Sequence, residues 1–203
     1  MITYVTTFKP GDDYSACKNS IENQTCRTFD WVLWEDRDYC RPVALNKALA
    51  HVKTPFWALV DADDWIYKET TSRVLQSIRQ SNRGPSWGYY TKCENDPHQR
   101  ANLKFTWDNL YLWLIPFHLR VERTDWWREG ILFNESYTHQ SDYERVLRLT
   151  EQGIKWEPLG YYSYRYNSCK KLNRLSTQEQ SKVFYRRAVM ESMKRRGCLF
   201  KGK

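Results

Sequence analysis

The stretch Pro55–Trp65, PFWALVDADDW, constrains this chain more than any other. Phe56–Val60 is a continuous apolar run of strand length, the pattern of a central strand covered on both faces. It runs straight into Asp61, Asp63 and Asp64. Three carboxylates at one strand end repel one another unless a countercharge relieves them. A hard divalent cation, Mg²⁺ or Mn²⁺, is suited to that task because it takes carboxylate oxygens. In open α/β sheets, ligands bind just beyond the carboxyl ends of the strands. An Asp-rich turn leading into a helix has the same letters and no chemistry, so the surroundings must decide.

Those surroundings alternate. Ile2–Phe8 reads as a first strand, broken by Lys9-Pro10-Gly11-Asp12-Asp13. Tyr14–Gln24 places Cys17, Ile21 and Gln24 at helical spacing, and Phe29–Trp34 is a second strand ending in Glu35-Asp36. Ala44–Val52 is an amphipathic helix with Ala44, Leu45, Ala48, Leu49 and Val52 on one face. Strand–helix–strand–helix–strand predicts a parallel α/β sheet whose strand ends bring Thr6/Thr7, Glu35/Asp36 and Asp61/Asp63 to one edge.

Beyond Trp65 the pattern is looser. Tyr67–Gln80 predicts a helix with Val74, Leu75 and Ile78 inward, Trp87–Cys93 a strand, and Asn95–Arg100 a loop. Leu110–Val121 is apolar and aromatic and divides into strand-like pieces around Pro116. Ser141–Gln152 predicts a helix stopped by Gly153, and Ile154–Tyr166 a Tyr-rich strand. Ser176–Arg196 closes the chain as a helix, with Ser176-x-x-Glu179 fitting a capping box and Gly197 ending it.

The 203 residues suit one domain with a core of its own, and 41% hydrophobic with 16% aromatic content argues against disorder. No apolar run approaches the ~18 residues of a membrane span, and the first residues do not read as a signal peptide. The expectation is a cytoplasmic protein. Six scattered cysteines without a C-x-x-C pair suggest neither a zinc site nor a disulfide framework. Of 32 basic and 24 acidic residues, the segment 170–203 holds 11 and 2, so the net charge of +8 belongs to the tail and the body is close to neutral.

Several blocks, taken in order, resemble the GT-A-fold glycosyltransferases of family 2 over about residues 1–167. Tyr4–Lys9 is similar to a first strand ending in P-T-Y-N, and Ser20–Thr25 to S-I-x-x-Q-T. Phe29–Asp36 resembles the second strand with V-D-D, Ala44–Ala48 the A-R-N-x-G, and Asp61–Asp64 the D-A-D-D. Gly130–Glu135 is similar to G-G-F-D-E, Ser141–Leu149 to E-D-Y-E-x-x-L-R-L, and Tyr164-Arg165 to a late Y-R. The sequence departs from the pattern at Glu35 (for Asp), at Ser141 (for Glu), at Asn167 near a His of some members, and in a short segment from Asp36 to Ala44.

The resemblance implies an α/β chain of the GT-A (Rossmann-like) class, with a mixed, mostly parallel sheet flanked by helices. Residues 1–93 would form the nucleotide-sugar half and 94–169 the acceptor half, with 170–203 a basic C-terminal helix packed on or extending from them. It implies a metal-dependent glycosyltransferase moving a sugar from a nucleoside-diphosphate sugar, a UDP-sugar being favoured, to a hydroxyl acceptor with inversion. Asp63 and Asp61 would hold Mn²⁺ or Mg²⁺; Thr7, Phe8, Glu35, Asp36 and Asp61 would meet the donor; Asp142 would be the general base. Asp64 is expected to cap a helix, as Asp commonly does. Trp126, Trp127 and His139 are acceptor-side candidates, with Trp107 and Trp113 in the same region, although aromatics also serve as core. The acceptor would be a glycan, a lipid-linked or a protein-linked group. The basic tail reads as a solvated helix face or as contact with an anionic membrane. Nucleic acid is not expected, since base-reading and stacking motifs are absent. Two other functions fit the letters: a nucleic-acid- or anionic-surface-binding module using the tail, and a catalytically silent nucleotide-sugar-binding protein.

Overall fold

The N-terminal alternation folds as its periodicity requires. The computed structural model describes residues 1–94, 103–112, 118–167 and 179–198. Strand β1 (Ile2–Phe8), helix α1 (Ser15–Glu22), β2 (Phe29–Glu35), α2 (Arg41–Leu49) and β3 (Phe56–Leu59) follow in order. Then come β4 (Trp65–Ile66), α3 (Thr70–Ser81), β5 (Trp87–Glu94), α4 (Trp107–Leu112), β6 (Arg120–Arg123) and α5 (Thr124–Arg128). Helix α6 (Ser141–Glu151), β7 (Lys155–Arg165) and α7 (Glu179–Arg195) complete the fold.

One sheet holds the strands in the order β2-β1-β3-β6-β5-β7-β4. β1 pairs in parallel with β2 and β3, and β5 in parallel with β7. Strand β6 runs against both β3 and β5, and β4 runs against β7 at the edge. The sheet is therefore mixed and mostly parallel, as expected, with one reversed strand at its centre.

Both faces are covered. Neighbours Tyr4 and Val5 of β1 point to opposite sides, as a period of two demands. Tyr4 joins Ile21 of α1, Val74 of α3, Tyr89 and Tyr164 on one face. Val5 joins Leu45 and Leu49 of α2, Trp57 and Phe133 on the other. A third cluster packs Tyr90, Leu110, Trp126 and Trp156 against Tyr143, Val146 and Leu147 of α6 and Ala188 of α7. Helix α7 thus docks on α6 and completes that cluster. Basic side chains of this segment are partly engaged there: Arg195 pairs with Glu151 (2.6 Å), Arg187 lies 4.5 Å over the Tyr137 ring, and Arg196 lies 3.6 Å over the Trp107 ring.

Several boundaries differ from expectation. Leu110–Leu112 is helical in α4 rather than strand, because a short apolar run has no periodicity to separate the two. Helix α2 begins at Arg41, three residues before the apolar face starts, with Pro42 in its first turn. Helix α3 begins at Thr70, since Trp65–Ile66 leaves the preceding turn to pair with β7. Asn95–Arg100, Trp113, Pro116 and Ser176 lie outside the described residues.

Gly88 on β5 shows how tightly the third cluster is built. A Cβ there would meet Trp156 Cζ3 at 2.6 Å, Cε3 at 2.7 Å and Trp126 Cη2 at 3.1 Å. Two indoles packed edge to face, 5.9 Å between centroids, have little room to retreat. Gly88→Ala should therefore destabilise the fold by about 1–3 kcal/mol in urea unfolding, the usual penalty of overpacking. An unchanged midpoint would show that the two rings can part.

Candidate active site

The end of β3 is assembled by strand register. Phe56, Trp57 and Ala58 pair with Arg123, Glu122 and Val121 of the antiparallel β6. Continuing that register past the strand sets Asp61 beside His118, and the His118 Nε2 indeed stands 3.6 Å from Asp61 Oδ2. The other oxygen, Oδ1, is ion-paired with the guanidinium of Arg41, from the first turn of α2. The Asp61 backbone N–H donates to the Tyr164 hydroxyl at 3.2 Å. Both carboxylate oxygens of Asp61 thus face cationic or imidazole nitrogen.

Asp64 does not cap a helix. It is fully buried, accepting from the Tyr164 hydroxyl (2.7 Å) and the Asn167 backbone N–H (2.8 Å). The first helix after it starts at Thr70, with Glu69 as its cap residue. Asp64 instead pins the end of β7 to the end of β3. Burial pushes its carboxyl up to about 7, and the charges of Asp61 and Asp63 push in the same direction. Asp63 lies on the turn between them and is partly buried.

Asp142 comes to this edge from α6. The helix starts at Ser141 behind a left-handed Gln140 (φ 57°), without a side-chain capping bond. Asp142 is therefore in the first turn rather than at the cap. Burial opposes its ionisation, yet the positive charges of Arg41 and Arg120, His118 and the Tyr143 N–H outweigh burial and hold the carboxyl below its usual range. Arg41 feels Asp61, Asp142 and Asp63 together, and despite burial its pKa is raised. It is the positive charge that joins the β3 end to the α6 end.

A buried ion network stands behind Asp142. Glu122 of β6 accepts from Arg120 Nε at 2.7 Å through Oε1, and from Arg145 Nε at 3.1 Å and NH2 at 2.8 Å through Oε2. Arg145 is one helical turn after Asp142 and fully buried, its guanidinium 5.0 Å from the Phe133 ring centroid. On α2, Asn46 clasps the loop that carries Phe133, accepting from the Phe133 N–H and donating to its carbonyl, both at 2.9 Å.

The remaining expected residues divide. Thr7 and Phe8 pair in register with Trp34 and Glu35, so the ends of β1 and β2 lie side by side. The Phe8 ring packs on Tyr14 with centroids 4.6 Å apart. Asp36 is buried, its N–H bonded to the Phe8 carbonyl at 2.7 Å and its Oδ1 taking the Cys40 N–H at 3.1 Å, while Glu35 pairs with Arg37. Trp126 is core rather than acceptor surface: it is buried against Trp156, and its indole N–H goes to the Pro85 carbonyl at 3.3 Å. Trp127 packs against the cluster around Trp57 and Phe133. His139 is buried and stacks on Phe184 of α7, 5.5 Å between centroids, so its ring serves the α6–α7 junction.

Arg41, His118, Arg120 and Glu122 carry much of the geometry, and the sequence did not single them out. Arg41 could have been noticed as a basic residue preceding a Pro at a helix start. His118 needs the β3–β6 register, and nothing local in the sequence reveals it.

Among the described residues no three His, Cys, Asp or Glu side chains converge into a metal-binding group. Three carboxylates, Asp61, Asp63 and Asp64, nevertheless follow closely on the end of β3, and the charges of Asp61 and Asp63 add to burial in raising the Asp64 pKa. Hard carboxylate oxygens are the donors that Mg²⁺ and Mn²⁺ prefer, so the residues fit a cation held by few protein ligands.

No family model and no curated protein matches the chain. Solved structures do. TarS of S. aureus superposes with a TM-score of 0.65 at 15% identity, over 98% of this chain and 44% of that one. Its residues 1–349 in complex with UDP-GlcNAc give 0.72 at 16% identity, over 95% of this chain and 66% of that one. Glucosyl-3-phosphoglycerate synthase from Mycobacterium tuberculosis, in complex with Mn²⁺, UDP and phosphoglyceric acid, gives 0.57 at 11% identity, over 97% and 78%. The likeness establishes the GT-A fold, and the chain spans less than half of the longer TarS chain.

Proposed function

We propose that this chain is a glycosyltransferase that takes a sugar from a nucleoside-diphosphate donor, UDP-sugars being favoured, and passes it to a hydroxyl acceptor. The observation that carries the reading is the convergence of three carboxylates from opposite halves of the chain on Arg41: Asp61 and Asp63 from the turn after β3, and Asp142 from α6. Neighbours of the same fold hold UDP, UDP-GlcNAc or UDP with Mn²⁺, which supports a nucleotide-sugar donor here.

In this reading Thr7, Phe8, Glu35 and Asp36 border the nucleotide, with Asp61 oriented toward the ribose and phosphates. Asp63, with Asp61 beside it, would hold a divalent cation, which when bound neutralises charge building on the leaving diphosphate. Arg41 adds a fixed positive charge on the same side. Asp142 accepts the proton of the attacking hydroxyl. One base and one displacement imply inversion at the anomeric carbon. Trp127 and Trp107 are indoles of the acceptor half that are only partly covered. Among the described residues no helix is long and apolar enough to cross a membrane. The nucleic-acid alternative loses support because Arg187, Arg195 and Arg196 are engaged with Tyr137, Glu151 and Trp107 of the body.

A ligand that binds only the folded state stabilises it by mass action. At 100-fold excess over Kd the gain is about 2.7 kcal/mol, or a Tm rise of about 5–10 °C for a chain of this size. A thermal-shift series of UDP-sugars with Mn²⁺ should show such a rise for at least one donor. Asp63→Ala should remove the Mn²⁺-dependent part of it. No shift with any nucleotide sugar would overturn the function, and an unchanged Mn²⁺ response in Asp63→Ala would overturn the metal role.

A further inference from the structure

Asp61 is held from three sides by groups of unequal freedom. The Arg41 side chain is 29% exposed, whereas that of His118 is 9% exposed. The His118 ring lies flat on Tyr164, 4.9 Å between centroids and 15° between planes. Tyr164 is itself fixed, donating to Asp64 and accepting from the Asp61 N–H. An incoming diphosphate is a stronger partner for a guanidinium than one carboxylate oxygen, because it offers several anionic oxygens to the same planar fork. Arg41 is therefore free to exchange Asp61 for the donor. His118 has no room to follow.

We infer that His118 is a positioning residue for the donor site: its Nε2 holds Asp61 Oδ2 in place when Arg41 turns to the diphosphate. The 3.6 Å separation closes to a hydrogen bond by a small rotation of the Asp61 carboxylate once Oδ1 is released. The stack on Tyr164 fixes the ring plane, so the nitrogen points to one place. Asp61, no longer paired with Arg41, then keeps its orientation toward the donor instead of rotating into the space between Asp63 and Asp64. The inference rests on the glycosyltransferase reading.

Two substitutions separate the nitrogen from the ring. His118→Phe keeps the stack on Tyr164 and removes the N–H, while His118→Gln keeps a donor at the same reach and removes the ring. Donor affinity is measured by calorimetric titration of a UDP-sugar with Mn²⁺, and KM and kcat by transfer. His118→Phe is expected to weaken donor binding by at least about tenfold, the loss expected of one hydrogen bond to a charged group. The donor KM of His118→Phe should rise in step with the weaker binding, and His118→Gln should bind nearly as the wild type does. Wild-type affinity in His118→Phe, equal losses in both variants, or a fall confined to kcat would each overturn the inference. If His118→Phe does not fold, His118→Met takes its place under the same criteria. Failure of the wild-type protein to bind any donor would instead count against the glycosyltransferase reading, so the two failures are distinguishable.

Discussion

Asp142→Asn is expected to lower the transfer rate by about 10²–10⁴-fold, the usual worth of a general base. The donor dissociation constant should stay close to that of the wild type. Asparagine keeps the shape and can still accept from the Tyr143 N–H, so the first turn of α6 need not rearrange. What it cannot do is take a proton from a hydroxyl. The arginines around Asp142 shape the pH dependence as well. They hold its carboxyl below the ordinary range, so it stays ionised and able to act as a base throughout neutral and mildly acidic solution. The acidic limb of the rate assigned to this group should therefore fall below pH ~3.9, the value of a free aspartate. The low pKa makes each proton transfer less driven, and rate must come from orientation rather than basicity. Transfer that survives in Asp142→Asn would remove this residue as the base and leave it as a charge in the Arg41 field.

Glu122→Ala should destabilise the protein by about 3–5 kcal/mol in urea unfolding, a large share of the ~5–15 kcal/mol available to a domain. Glu122 is the anion between two buried cations, Arg120 and Arg145. Removing it takes the hydrogen-bonded carboxylate from both buried guanidinium groups, which is far worse than losing the pair together. Glu122→Gln keeps the volume and should still lose most of this stability, since the penalty is one of charge. The sign with pH follows. Burial would raise the Glu122 pKa, but Arg145 and Arg120 outweigh it and hold it below 4.5. Its contribution is present above the unfolded value and disappears as pH falls through the lower folded one. Acid unfolding should therefore be less steep in Glu122→Gln than in the wild type. A loss under about 1 kcal/mol for both variants would show that water reaches the two arginines.

The first half of the sheet and its carboxylate edge were legible because apolar periodicity and strand ends are local properties. Ile2–Phe8, Phe29–Glu35 and Phe56–Leu59 form within a residue or two of their expected bounds. The helix that carries Asp142 was legible from its apolar face and from Gly153 behind it. Three matters were not legible. The register that brings His118 to Asp61 depends on a strand arriving from 57 residues away in the chain, and no local pattern encodes that pairing. Asp64 reads as a cap because Asp before a helix commonly is one, yet the two residues after it join β7 and leave its carboxylate inside. Trp126 reads as a sugar platform and is core, because aromatic residues follow the same rules of burial whatever their use.

The reversal of β6 has a broader meaning for how such a chain can change. Parallel strands present their C-terminal ends to one edge, and each must be followed by a crossover that the fold depends on. A strand running the other way brings its N-terminal end to that same edge. Its free side there is an incoming connection, which can be lengthened or rewritten without redrawing a crossover. His118 and Arg120 sit where that connection joins the strand. The ends of β1, β2 and β3 are thus built by the first sixty-six residues, while His118 reaches the β3 end from the N-terminal end of β6. The start of a four-residue strand is one place where the two halves of the chain meet at this edge.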